Sequence, residues 1–324
     1  MDSLAPTPPA GNGLSGPILI AGGDTDYSLH SLRRQALTRG FDHIALFSGA
    51  GGQPTLTWDM ERDRLELDGR EIRPGACFIR PDVFTFQADK KPESARRAAA
   101  WYTAIAGWLL VHPEVRILNR HFGHHNNKPY QLHVARRVGL EVPFTRITND
   151  LGAVERWAGE RALVAKPVQG GAHCRELGEW VEAAREAGGL GPLIVQNRLA
   201  QPELRLYNIG GRFIAFDMRS ELLDYRATND TRIVPRALDD VPRELCDGLA
   251  ALMEILGMDF GAADFKTDPE TGRLLFLEIN SSPMFYGFDL NSAGAVSDAI
   301  LDTLASGPVP VAARPRVPAA ALAA

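Results

Sequence analysis

Apolar residues in this chain fall into short runs, separated by stretches in which they recur every third or fourth position. The short runs read as strands and the periodic stretches as helices. Residues 17–21 (PILIA) form a strand, GGDTD a turn, and 27–39 a helix that Gly40 stops. A second strand follows over 43–47. A strand–helix–strand start predicts parallel pairing, because the crossover helix returns the chain to the same end of the sheet. Residues 56–72 alternate apolar with polar and turn at Asp68-Gly69, a hairpin signal. Another buried strand is expected over 77–80 and a long helix over 93–111. A helix over 129–138 ends at Gly139, Pro143 opens an extended stretch, and Asp150 is placed to cap the next helix. Strands then dominate, over 162–167, 193–197, 204–209, 212–219, 260–266 and 274–279, with helices over 243–256 and 293–304. The pattern is α/β at the start and α+β in the C-terminal part. It divides into folded parts over 17–119, 120–200 and 201–306. Residues 1–16 and 307–324 read as a disordered arm and tail from their composition.

Composition narrows the function classes. The chain has 324 residues and is 45% hydrophobic, enough for a sizeable core. Its net charge of -5, from 35 basic and 40 acidic residues, argues against nucleic acid as a partner. Cys77, Cys174 and Cys246 are too few and too scattered for a disulfide framework, which points to a reducing compartment. The first residues carry no basic and apolar signal pattern, and no apolar run is long enough to cross a membrane. A cytoplasmic protein with no membrane partner is expected.

Candidate chemistry concentrates in the second half. Asp264 lies in FGAADFK and Glu278 and Asn280 in LLFLEIN, with a turn over 268–272 between them. The two strands should pair antiparallel. Glu278 and Asn280, two apart, then share a face with Asp264 opposite. Two carboxylates and an amide oxygen suit Mg²⁺ bridging phosphates, and an exposed polar hairpin face is the competing reading. Lys166 ends the apolar strand ALVAKP before Gln169-Gly170-Gly171, where glycine backbone lets N–H groups approach phosphate closely. Lys128 precedes a helix and reads equally as a surface lysine. In IVQNRLAQPELRLY a strand runs into Gln196, Asn197 and Leu199, with Glu203 downstream and Arg205 on the same face as Glu203. That edge offers main-chain groups to an adenine and an acid to ribose hydroxyls, or is an ordinary charged strand pair.

The order of these features resembles the ATP-grasp superfamily: a lysine, a strand–lysine–glycine loop, a strand with a downstream acid, then Asp…Glu-x-Asn. NKPYQLHVARRVGLEVPFTRITND resembles the start of the central domain in RimK-like amino-acid ligases and in graspetide maturases, which make microviridin-type ester and amide macrocycles. LEINSSPMFYGFD resembles the RimK-like Glu-x-Asn-Ser-Ser-Pro-Gly, with Met284 in place of the Gly. The resemblance covers roughly residues 120 to 305 and implies an ATP-grasp fold behind an N-terminal parallel-sheet pre-ATP-grasp domain. It implies that Lys128, Lys166, Gly170 and Gly171 hold ATP phosphates, Gln196, Asn197 and Leu199 frame the adenine, and Glu203 holds the ribose. Asp264, Glu278 and Asn280 would hold Mg²⁺, with two ions expected. Arg219 matches a position that neutralises phosphate charge. The family's basic residue two places before the metal Asp is Ala262 here, so Arg226 or Arg232 is expected to supply that charge. The lysine waiting for phosphate, Lys166, is expected to need no protein partner, the rival being an ion pair with Glu176. Replacing Asp264 or Glu278 by its amide is expected to leave the fold nearly intact.

The activity so implied is ATP- and Mg²⁺-dependent joining of a carboxylate to an amine through an acyl phosphate, on an amino-acid or peptide substrate. Phosphoryl transfer needs cations and metal where charge collects, so the lack of a G-x-S-x-G nucleophile fits. The loop 169–174 is expected to close as a lid. A graspetide-type maturase cross-linking a ribosomal peptide and a silent ATP-binding module remain as alternatives, with room for a homodimer. Other signals carry less. HFGHH (His121, His124, His125) lacks a fourth zinc ligand. Adjacent His173 and Cys174 do not aim at one substrate. Gly22-Gly23-Asp24 lacks the rest of a dinucleotide loop. Trp101, Tyr102 and Trp108 read as core, and Arg80 either faces a cleft or pairs with Asp82 or a neighbour.

Overall fold

Strand β1 (Ile18–Gly23) is an uninterrupted apolar run, as a strand buried on both faces must be. In the computed structural model, which describes residues 14–49, 54–84, 90–120, 127–159, 161–168, 174–187, 191–219 and 231–306, it is central in a four-stranded parallel sheet. The order is β2 (His43–Ser48), β1, β6 (Ala76–Ile79), β7 (Arg116–Ile117). Helix α1 (Tyr27–Thr38) links β1 to β2. Its N-cap is Asp26, whose carboxylate accepts from the Ser28 N–H at 2.9 Å. Helix α2 (Pro92–Val111) lays Ile105, Trp108 and Leu109 against Leu19, Ala21 and Cys77. Trp101 packs on the edge of this cluster, as its helical spacing suggested.

The chain divides into two compact units, and the first gathers the described residues of Met1–Arg120 together with those of Met284–Ala313. Sequence carried the last folded part through to 306; compactness places Met284 onward with the first unit. There α7 (Tyr286–Leu290) and α8 (Ala295–Ser306) contact α1. Asp289 is buried and accepts from the Ser31 hydroxyl at 2.8 Å and from the N–H groups of Val296 and Ser297 at 3.0 and 3.1 Å. A side chain on the preceding helix therefore caps the start of α8 and ties it to α1 through Ser31. The expected hairpin over 56–72 is a three-stranded ribbon, β3 (Leu56–Asp59), β4 (Arg64–Leu67) and β5 (Arg70–Glu71). The turn before Arg64 has no Gly or Pro to announce it. It is held by the Asp59 carboxylate, which accepts from the N–H groups of Glu61 and Arg62.

The second unit, within His121–Pro283, contains two antiparallel sheets. One runs β10 (Arg175–Glu176), β9 (Leu163–Pro167), β11 (Leu193–Asn197), β8 (Thr145–Thr148). Val154 of α4 (Leu151–Ala158) and Leu177 of α5 (Leu177–Ala187) pack on its Leu163, Ala165, Leu193 and Val195 face. Asp150 caps α4 as expected, accepting from the Ala153 N–H at 3.0 Å. The other sheet runs β14 (Arg232–Arg236), β13 (Arg212–Arg219), β12 (Ala200–Ile209), β15 (Phe260–Thr267), β16 (Leu274–Asn280). Helices α3 (Lys128–Arg137) and α6 (Arg243–Leu256) cover one of its faces, burying Leu204, Leu206, Ala263, Phe265, Phe276 and Ile279. Truncating either of those phenylalanines to Ala would cost about 3–5 kcal/mol. The β15–β16 turn closes through Gly272, left-handed at φ +71°, whose N–H bonds Asp268 O at 2.8 Å. The Glu270 N–H, bonded to the Asp268 carboxyl, holds that acid below its usual range.

Candidate active site

The β15–β16 hairpin carries the acidic pair. Asp264 is directly opposite Glu278, and Ala262 opposite Asn280. Residues opposed across antiparallel strands share a face, so Asp264, Glu278 and Asn280 do. The register shifts immediately beside the pair: Phe265 faces Phe276, which leaves Leu277 as an extra residue on β16. Strict alternation would put Phe276 and Glu278 on one face. The bulge turns Phe276 inward onto Phe265, ring centroids 5.7 Å apart, and keeps Glu278 on the polar side.

Strand β12 adds cations to that side. Arg205 is opposite Asp264 and Glu203 opposite Lys266, all four buried. The Arg205 guanidinium donates to both oxygens of Asp264, Nε–Oδ1 at 2.8 Å and Nη2–Oδ2 at 2.9 Å. Such a planar fork on a carboxylate fixes geometry as well as charge. Lys266 Nζ is 3.6 Å from Glu203 Oε2. Two lysines converge on Glu278 Oε2: Lys166 Nζ at 3.0 Å and Lys128 Nζ at 3.4 Å. Lys128 opens α3, whose N-cap Asn127 accepts from the Tyr130 N–H at 3.0 Å. Lys166 is buried on β9, alternating with Ala165 so that it points away from α4 and α5.

Two expectations change here. Lys166 does have a protein partner, and it is Glu278; Glu176 pairs instead with Arg198 at 2.8 Å. A buried ammonium is too costly to leave unpaired, and the strand expected to aim it at phosphate aims it at a carboxylate. Each of the two carboxylates holds a buried cation, so an amide variant of Asp264 or Glu278 would carry a stability cost even where the fold stays nearly intact.

The remaining expected residues are dispersed. Gln196 shares the Lys166 face of its sheet, is buried, and its Nε2 donates to the Thr145 hydroxyl at 3.0 Å. Asn197 alternates to the other face with its Oδ1 buried and lacking a hydrogen-bond partner, and Leu199 is buried. Glu203, as noted, faces Lys266. Arg219 and Arg232 are opposite one another at strand ends. Met218 is opposite Glu203, so alternation places Arg219 and Arg232 on the face away from Asp264. Arg226, Gly170, Gly171 and the histidines of HFGHH lie outside the described residues, as do 169–173 of the expected lid. In the first unit Arg80 pairs with Asp26 at 2.6 Å and donates to Met284 Sδ at 3.4 Å. Sequence reasoning noted Arg205 only as a neighbour and missed Lys266, although its position two after Asp264 placed it on the same face. It also missed Gln131, which no periodicity announced.

The donor set fits magnesium. Asp264, Glu278 and Asn280 offer hard oxygens on one face. Among the described residues no three His, Cys, Asp or Glu side chains cluster. Two carboxylates and an amide suit an ion that completes its shell with phosphate and water oxygens.

No family model and no curated protein matches the sequence. Solved structures do. The chain is similar to the ATP-grasp ligase PsnB complexed with a minimal precursor, Mg and ADP: 25% identity over 90% of this chain and 98% of that chain, with a TM-score of 0.68. The chain is an ATP-grasp protein. The macrocyclase MdnC from Microcystis aeruginosa MRC, bound with precursor peptide MdnA, shares the fold at 20% identity, covering 89% and 99% of the two chains with a TM-score of 0.67. So does a Chryseobacterium gregarium RiPP-associated ATP-grasp ligase in complex with ADP and a leader and core peptide, at 18% identity, 91% and 99% coverage and 0.69. In this ATP-grasp protein the Asp264–Glu278 hairpin and the lysines on Glu278 are thus set in a fold that other chains use with nucleotide. No helix among the described residues is long and apolar enough to cross a membrane.

Proposed function

We propose that this ATP-grasp protein is an ADP-forming ligase that activates carboxylates of a peptide and joins them to hydroxyl or amine side chains, as graspetide-type maturases do. The observation that carries the reading is the convergence on Glu278: one carboxylate, opposite Asp264, held by two lysines from separate elements. The peptide substrate is supported by likeness to ligases bound to precursor peptides.

The chemistry asks for charge control. A carboxylate repels nucleophiles, and phosphorylation converts it to an acyl phosphate with a good leaving group. Lys128 and Lys166 bring positive charge to the phosphates, and Asp264, Glu278 and Asn280 hold magnesium. Magnesium, when bound, draws charge off phosphate oxygens and orients the transferred group. Gln196, Asn197 and Leu199 frame the adenine, and Glu203 takes the ribose. Arg205, opposite Asp264, is the described cation that takes up the charge missing at Ala262. Of the three arginines expected to meet phosphate charge, Arg226 remains the candidate, because Arg219 and Arg232 lie on the face away from Asp264. A cytoplasmic setting fits this reading, since it would supply ATP and the reducing conditions that three scattered cysteines suit.

The test is incubation of the purified chain with ATP, Mg²⁺ and a peptide whose core is rich in Thr, Asp and Glu, followed by nucleotide chromatography and peptide mass. ADP with loss of one water per bond formed is expected. AMP as the stoichiometric product would sink the acyl-phosphate route. Bond formation only with free amino acids would favour the RimK-like reading, and nucleotide binding without turnover the silent module.

A further inference from the structure

Gln131 lies one helical turn beyond Lys128 on α3 and is buried. Its side chain meets the backbone of β16 twice. Nε2 donates to Ile279 O at 2.9 Å, and Oε1 accepts from the Ile279 N–H at 3.1 Å. Ile279 is the residue between Glu278 and Asn280. β16 is an outer strand, paired on one side with β15. The main-chain groups on its other side need partners where they are buried. A primary amide offers one donor and one acceptor at the spacing of a peptide group, so Gln131 acts as one residue of a neighbouring strand. The Ile279 side chain is fixed as well, in the core with Leu132 and Ala135 of the same helix.

We propose that Gln131 is a positioning residue for the magnesium ligands: by clamping Ile279 it sets the height and twist of β16, so that Glu278 and Asn280 on either side hold their oxygens where the ion needs them. The proposal rests on the metal role assigned to those residues above. Helix α3 then serves the site twice. Lys128 bears on the Glu278 carboxylate, and Gln131 bears on the backbone that carries it. Groups that hold metal ligands in place typically account for about ten- to a hundredfold in metal affinity or activity. A bulge already breaks the β15 ladder just before Glu278, so the hold from the β15 side is weakened where the clamp acts.

The experiment uses the full chain and Gln131→Met, which keeps the length but neither hydrogen bond, and Gln131→Glu, which keeps an acceptor for the Ile279 N–H and loses the donor. Binding of Mn²⁺ as a magnesium substitute is followed by electron paramagnetic resonance with a non-hydrolysable ATP analogue present. Thermal melts and metal-free nucleotide binding are run in parallel. Gln131→Met should weaken Mn²⁺ binding by about ten- to a hundredfold, leave metal-free nucleotide binding unchanged, and raise the Mg²⁺ needed for half-maximal turnover. Gln131→Glu should likewise weaken Mn²⁺ binding, because its carboxylate meets Ile279 O with repulsion where the amide donates. A lowered melting temperature with unchanged Mn²⁺ affinity would show that the clamp only ties α3 to the sheet, and would overturn the proposal. If Gln131→Met does not fold, the same two measurements on Gln131→Glu decide. Glu278→Gln separates this inference from the reading beneath it. If that variant binds Mn²⁺ normally, the metal assignment fails. If it loses Mn²⁺ while the Gln131 variants keep it, the clamp proposal alone fails.

Discussion

Lys166→Met removes one charge from the point where the site is most crowded. Met keeps the length and the apolar stem on β9, so packing against the sheet is largely kept. Lys166 is 3.0 Å from Glu278 Oε2, and Lys128 remains at 3.4 Å. At an effective dielectric of about 20, a unit pair at such a distance attracts by about 5 kcal/mol before desolvation is subtracted. A buried carboxylate stripped of its only partner costs about 3–5 kcal/mol. With Lys128 still in place, and the cost of burying Lys166 itself gone, the loss of stability without nucleotide should be about 1–3 kcal/mol, or several degrees of melting temperature. Loss of a charge-assisted phosphate contact worth about 1.5–3 kcal/mol should also weaken ATP binding by about ten- to a hundredfold. The stabilisation that ATP adds in a melt should shrink accordingly. Melts with and without ATP, with calorimetric titration of ATP, measure both effects. Lowered stability with ordinary ATP affinity would refute the phosphate role and leave Lys166 as a structural partner of Glu278.

Other outcomes can be checked the same way. Glu278→Gln should abolish Mg²⁺-dependent ADP formation and lower the melting temperature, because two lysines lose their carboxylate; near-native turnover would mean the metal assignment is wrong. Arg205→Lys keeps the charge but not the two-pronged hold on Asp264, and should raise the Mg²⁺ required for half-maximal turnover by about tenfold. Cys77 is buried and burial pushes its thiol up. Because the unfolded thiol ionises near pH 9 and the folded one stays protonated, its contribution to stability is complete below that pH and is lost as pH rises above it, by about 1.4 kcal/mol per pH unit. Denaturant midpoints between pH 8 and 10 should fall less steeply for Cys77→Ala than for the natural chain, the remainder coming from groups such as Cys246 that burial also pushes up.

Periodicity was enough for most elements because their burial is one-sided or complete. The helix expected over 243–256 is α6 itself, and the Asp264–Glu278 pairing followed from a turn and from two strands of matching phase. What failed was whatever depends on contacts between distant segments. Residues 284–306 read as the end of the last part, yet Asp289 bonds Ser31, and Arg39 of α1 reaches Asp298 and Asp302 of α8. No local pattern encodes a partner so far away. β14 was not anticipated, so the phase of Arg232 was unknown, and Arg219 was placed by resemblance without the register that turns it from Asp264. The bulge at Leu277 was invisible as well, since LLFLEIN alternates too weakly to show where its parity changes. Gln131 looked like any polar residue on an amphipathic helix. Only its depth and the backbone in front of it set it apart.

Two kinds of cation hold the two carboxylates, and their difference has consequences for exchange. Arg205 grips Asp264 through two bonds from a planar, weakly hydrated group. Lys166 and Lys128 meet Glu278 as point charges on flexible stems, at one oxygen and at unequal distances. Moving a lysine from carboxylate to phosphate needs only rotation about its stem, and it keeps the lysine paired with an anion while leaving Glu278 to the magnesium it is proposed to hold. Moving Arg205 would break two aligned bonds at once. On the proposed roles, Asp264 is then the ligand more firmly held, and Glu278 the one whose lysines are easier to turn towards phosphate. The lysine and arginine variants act on opposite sides of this division: Lys166→Met on nucleotide affinity, Arg205→Lys on metal demand. If both variants changed the same parameter to the same degree, the division of labour between the two carboxylates would not hold.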